Sequence, residues 1–80
     1  MWEIAEEEYE RFLNAIADDD INPRMRFCDC DDFEDDYSHN EIRDSWPYFL
    51  AAAKDYINSN SLKYELRYGA DCLFVENLNK

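Results

Sequence analysis

Glycine and proline are nearly missing from this chain, with one glycine and two prolines in eighty residues. A sequence so poor in both is not built from tight turns and is not a flexible linker. Basic residues are also scarce, eight against twenty acids, for a net charge of −12. That sign disfavours direct binding to nucleic acid or to an anionic membrane. No apolar run approaches the roughly 18 residues of a membrane helix. The opening MWEIAEEEYE has neither a basic nor an apolar leader region, so no secretory signal is expected. Three cysteines, an odd number, suit a reducing compartment, and a cytoplasmic protein is expected. Catalysis lacks its parts: there is one histidine, no glycine-rich phosphate loop and no serine with a base and an orienting group. The chain is therefore expected not to be an enzyme and to need no cofactor.

What is present is enough for one core. The apolar fraction is 46%, and thirteen residues are aromatic. A chain of this length forms one domain over residues 1–80, burying only about 60% of the surface that it exposes when unfolded. The charge is regional. Residues 1–44 hold sixteen of the twenty acids and four bases (Arg11, Arg24, Arg26, Arg43), whereas residues 45–80 balance four acids with four bases. Solubility needs a net charge of only about 2–8, so the concentration in one half carries a cost in self-repulsion.

Periodicity predicts a helix over residues 3–18. Its apolar stripe is Trp2, Ala5, Tyr9, Phe12 and Ile16, with Leu13 beside it; Glu3, Glu7, Glu10, Asn14 and Asp18 lie opposite. Residues 24–30, RMRFCDC, read as a short strand with Met25 and Phe27 on one side and Cys28 and Cys30 on the other. DDFEDDYSHN then reads as an acidic loop around Phe33 and Tyr37, and Ser38 to Glu41 matches a capping box. Because Pro47 fits a first turn better than a helix interior, a short turn near 40–44 and a main helix over 46–58 are expected. The stripe of that main helix is Trp46, Phe49, Leu50, Ala53 and Ile57. Residues 62–68 and 71–78 read as a hairpin about a Gly69-Ala70 type II′ turn, pairing Leu66 with Leu73 and Lys63 with Glu76. The expected fold class is α+β in the order α-β-α-β-β, two helices on a three-stranded, mainly antiparallel sheet. Trp2, Phe12, Ile16, Trp46, Phe49, Leu50, Leu66 and Leu73 are its expected core.

The candidate binding residues are Glu3, Glu7 and Glu10 on the helix face, with Asp29, Asp31, Asp32, Glu34, Asp35 and Asp36 in the loop. Duplex DNA carries one negative charge per roughly 1.7 Å of axis, and a surface this acidic competes for a groove built to hold phosphates. In EIAEEEYE at 3–10, DDD at 18–20 and DCDDFEDD at 29–36, the first 44 residues resemble the phage-encoded, acidic DNA-mimic inhibitors of restriction and CRISPR systems. The resemblance implies a basic, nucleic-acid-binding protein or complex of host defence as partner. It also implies action in the cytoplasm of the host cell.

Two other readings stand beside this one. An antitoxin-like or regulatory module would bind through exposed aromatics; Tyr48 and Phe33 fall outside the apolar stripes, although Phe33 also suits an anchor for the acidic loop. A small metal-binding domain would use Cys28, Cys30, His39 and Cys72, or the acidic loop. The loop fails the EF-hand pattern, with Phe33, Glu34 and Asn40 where an oxygen ligand, glycine and glutamate belong. The Cys-x-Cys spacing is tight for zinc, so reduced thiols and no bound metal are expected.

Overall fold

A computed structural model of the chain describes residues 3–78. Among these, the order is α1 (Glu3–Ala17), β1 (Arg24–Phe27), α2 (Cys30–Phe33), α3 (His39–Ser59), β2 (Tyr64–Tyr68) and β3 (Leu73–Asn77). The fold is α+β. The sheet is antiparallel in the order β1-β3-β2, with the last strand in the centre.

The core is an aromatic junction. Phe12 of α1 is fully buried and meets Phe27 of β1 and Phe49 and Tyr56 of α3 edge to face, with centroids 5.9, 5.9 and 6.0 Å away. Phe27 and Phe49 stack at 5.2 Å. These are favoured quadrupole arrangements, and they join both long helices to the edge strand. Phe49 and Leu73 are fully buried and Trp46 nearly so, as expected, whereas Ile16, Leu50 and Leu66 are half-buried. Trp2 lies outside the described residues.

With glycine so rare, helices α1 and α3 end on other residues in the left-handed conformation. Asp19 (φ 55°) and Ser61 (φ 53°) occupy the position that glycine usually takes. Asp20 N–H reaches Ala15 C=O at 2.9 Å and Leu62 N–H reaches Ile57 C=O at 3.0 Å, closing both helices with Schellman bonds.

Several boundaries differ from the sequence expectations. β1 stops at Phe27 because Cys28 adopts φ 52°, so Cys28 and Cys30 do not share a strand face. The acidic loop contains a helical turn, capped where Asp29 accepts the Asp31 N–H at 3.0 Å. α3 is continuous across Pro47. The carbonyl that a residue there would normally bond belongs to exposed Arg43, while Ile42, Ser45, Trp46 and Phe49 around it are buried. Burial of that face outweighs the local cost of proline.

The hairpin register is also corrected. Tyr68 pairs with Leu73 and Leu66 with Val75, two residues away from the expected pairing, and the loop spans 69–72. It closes with Gly69 N–H to Cys72 C=O at 2.8 Å, and Gly69 has no positive φ. Glu76 faces Glu65 rather than Lys63, and Arg67 lies 3.5 Å from Glu65 and 3.7 Å from Glu76, relieving the like-charge pair. A slip of two leaves every side chain on the same face, so hydrophobic patterning does not distinguish the registers.

Phe12→Ala is expected to cost about 3–5 kcal/mol, most of the stability of a domain this small. Gly69 serves close packing: a Cβ there would sit 2.7 Å from the Phe74 ring and 3.0 Å from the Cys72 carbonyl. Gly69→Ala is therefore expected to cost about 1–3 kcal/mol. Denaturant unfolding measures both, and wild-type midpoints would contradict this account of the core and the hairpin.

Candidate functional site

The helical period places Glu3, Glu6, Glu7 and Glu10 on one exposed stripe of α1. Four charges over about 10 Å of helix is one per roughly 2.6 Å, the same order as duplex DNA. Glu6 is not among the sequence candidates, although its spacing, three after Glu3 and four before Glu10, marks it as a member.

The neighbouring acid, Glu8, points the other way and is buried. Its Oε1 accepts the Cys28 N–H at 2.7 Å, and its Oε2 lies 2.9 Å from Arg11 Nε. Arg11 covers the Phe27 ring at 4.6 Å and donates to the Arg26 carbonyl. Burial raises the Glu8 carboxyl above its ordinary value; the Cys28 N–H and Arg11 oppose this, and Asp32 and Glu7 add to it.

The second acidic segment follows from α2. Asp31, Asp32, Glu34, Asp35 and Asp36 are all exposed. Phe33 packs on the core and against Tyr37, with centroids 6.4 Å apart, so it anchors the segment. Tyr37 O–H then donates to Glu3 Oε2 at 2.9 Å. That bond holds the Tyr37 hydroxyl above its ordinary value, and Glu7 and Asp36 push it the same way. The acidic stripe of α1 and the acidic segment after β1 are thus one face.

Of the candidates, Glu3, Glu7, Glu10, Asp31, Asp32, Glu34, Asp35 and Asp36 are exposed, and the structure brings the two segments together. Asp29 does not belong with them. It is buried, caps α2, and lies 3.9 Å from Arg26. Asp18, Asp19 and Asp20 lie at the far end of α1, where Asp19 acts on Tyr64.

The exposed acids of this face make no ion pair among the described residues. Ion pairs among the described residues use Glu8, Asp29, Asp71, Glu65 and Glu76. The bases of the acidic half are engaged elsewhere: Arg24 and Arg26 lie 5.0 and 6.0 Å from the Phe74 ring centroid, and Arg43 pairs with Asp71 at 2.9 Å.

The three cysteines are buried free thiols. Burial, with Glu8 adding to it, pushes Cys28 up to about 12, so that thiol is not a nucleophile. One trio with metal-ligating chemistry, Cys30, His39 and Asp71, lies where α2, α3 and the hairpin loop meet. No helix among the described residues is long and apolar enough to cross a membrane. No protein-family model, curated protein or solved structure matches the chain.

Because burial favours the protonated form of Glu8 in the folded protein, its contribution to stability is full below the ordinary value of 4.5 and is lost as pH rises through the raised value. The contribution of Glu8 to stability is therefore expected to increase as the pH is lowered from neutrality toward the ordinary value of 4.5. Self-repulsion of the acidic face acts in the same direction, so Glu8→Gln isolates the buried group. Its unfolding free energy should depend less steeply on pH than that of the wild type. Equal slopes would show that Glu8 carries no burial penalty.

Proposed function

We propose that this protein is a small inhibitor that binds a basic, nucleic-acid-binding surface of a host defence complex. Its carboxylates stand where phosphates would, and the target is a CRISPR effector or a restriction enzyme. It acts by occupancy rather than catalysis, in the cytoplasm of the host cell. The observation that carries this reading is the Tyr37–Glu3 hydrogen bond at 2.9 Å, which joins the two acidic segments. With no cation paired to them among the described residues, these carboxylates are available to lysine and arginine side chains of a partner. Assigning the target to host defence rests on the compositional resemblance to acidic DNA mimics.

Physics supports competition over bulk attraction. The carboxylates project from α1, from α2 and from the turn over 34–36, so their backbone spacing is set before binding and less ordering entropy is lost than from a disordered segment. Opposite fields also steer encounter, making association fast and dependent on salt.

Binding to a guide-loaded CRISPR effector or to a restriction enzyme, measured between about 50 and 300 mM salt, should weaken steeply. Paired reversals Glu7→Lys with Glu10→Lys, or Asp32→Lys with Asp35→Lys, should each abolish inhibition with the fold intact. Asp55→Lys, in the charge-neutral half, should leave it unchanged. Binding that ignores salt and survives both paired reversals would rule mimicry out.

One observation favours a second reading, an antitoxin-like or regulatory module. Tyr68 is 70% exposed and lies 6.0 Å from Trp46. It borders an open groove of ≈ 530 Å³ between α3 and β2. Loss of binding on Tyr68→Ala, with the acidic reversals harmless, would transfer the function to that surface.

A further inference from the structure

We propose that Cys30, His39 and Asp71 form a binding site for a divalent transition-metal ion of borderline softness, zinc or cobalt, which pins both ends of the acidic segment. One ligand atom from each residue lies within 4.8 Å of the other two. Ligands in a tetrahedral zinc site, at about 2.0–2.3 Å from the metal, stand about 3.5 Å from one another. Closing the trio onto an ion takes a movement of about 1 Å, which side-chain rotation supplies because His39 and Asp71 are exposed.

Hydrogen bonds already hold the three residues near one another. Cys30 N–H donates to the Asp71 carbonyl at 2.8 Å, tying the start of α2 to the hairpin loop. His39 opens α3 directly after Ser38, whose capping box with Glu41 has both bonds at 3.2 Å. Arg43, one turn further, donates to Asp71 Oδ1 at 2.9 Å. That contact orients the carboxylate and leaves its second oxygen for a metal, the usual outer support of a ligating carboxylate.

The donor chemistry selects the ion. A thiolate and an imidazole favour zinc or cobalt over calcium and magnesium, which take oxygen ligands. Binding displaces the Cys30 proton, so affinity falls as the solution is acidified. Two anionic donors balance the charge of the ion, and a fourth position stays open for water. Spacing along the chain does not reveal this set, because Asp71 takes the place that cysteines would be expected to fill, and Cys28 is not part of it.

The consequence is structural. Cys30 and His39 bracket residues 31–38, so one ion would clamp the acidic segment to the loop before β3. This holds whether or not the acidic face is a phosphate mimic.

The test is titration of the chelator-treated full chain with cobalt(II). The proposal expects one equivalent to bind, with a thiolate-to-cobalt charge-transfer band in the near ultraviolet. Cys30→Ser, His39→Gln and Asp71→Asn should each abolish the band. Zinc should raise the thermal midpoint of the wild type and leave that of His39→Gln unmoved. His39 and Asp71 are exposed, so their variants are expected to fold, which circular dichroism checks, and they keep the test decisive even where Cys30→Ser does not fold. Absence of the band in the wild type, or a band that persists in His39→Gln and Asp71→Asn, would overturn the site.

Discussion

The buried carboxylate of Glu8 is the interaction on which the rest of the arrangement depends. It binds the Cys28 N–H at 2.7 Å, at the left-handed residue where β1 ends and the chain turns toward α2. Arg11 closes over it and covers Phe27. The backbone of Cys28 serves the other side as well, since its carbonyl accepts Trp46 Nε1–H at 3.0 Å. One residue thus joins α1, the end of β1 and α3. A buried carboxylate is tolerable only when it is hydrogen-bonded and paired, and Glu8 is both.

From that anchor the placement of the remaining acids follows. With Glu8, Phe12 and Ala15 turned inward, the period of α1 sends Glu3, Glu6, Glu7 and Glu10 to solvent. With Cys28 fixed, α2 packs against α3, Phe33 reaches the core and Tyr37 reaches Glu3. The self-repulsion of so many carboxylates is borne by the aromatic junction beneath them, in which Phe12, Phe27 and Phe49 are fully buried. Concentrating negative charge on one face costs stability through self-repulsion.

Much of this was legible in the sequence, for identifiable reasons. The 3.6-residue period marked α1, its core residue Phe12 and its outward glutamates, and alternation marked both hairpin strands. The hairpin register was not legible because a slip of two preserves the faces; closure by Gly69 and Cys72 decided it. α3 was divided at Pro47 because local propensity does not include the burial of Trp46 and Phe49. Glu8 was hidden inside a run of three glutamates, where composition says surface and only the neighbouring Cys28 N–H says interior. Composition places Asp29 with the acidic face, whereas its short side chain caps α2, a role for which aspartate before a helical turn is itself a signal. The union of the two acidic segments depends on one tertiary hydrogen bond, which no local pattern encodes.

The central claim is that the acidic face occupies the place of nucleic acid on its target. Equilibrium competition tests this most directly: labelled duplex DNA bound to a basic defence complex is titrated with this protein, and the protein–complex pair is titrated with DNA. The account predicts mutual displacement to completion, with no species that holds both ligands. A stable ternary complex, in which DNA and this protein bind the same target without weakening one another, would contradict it.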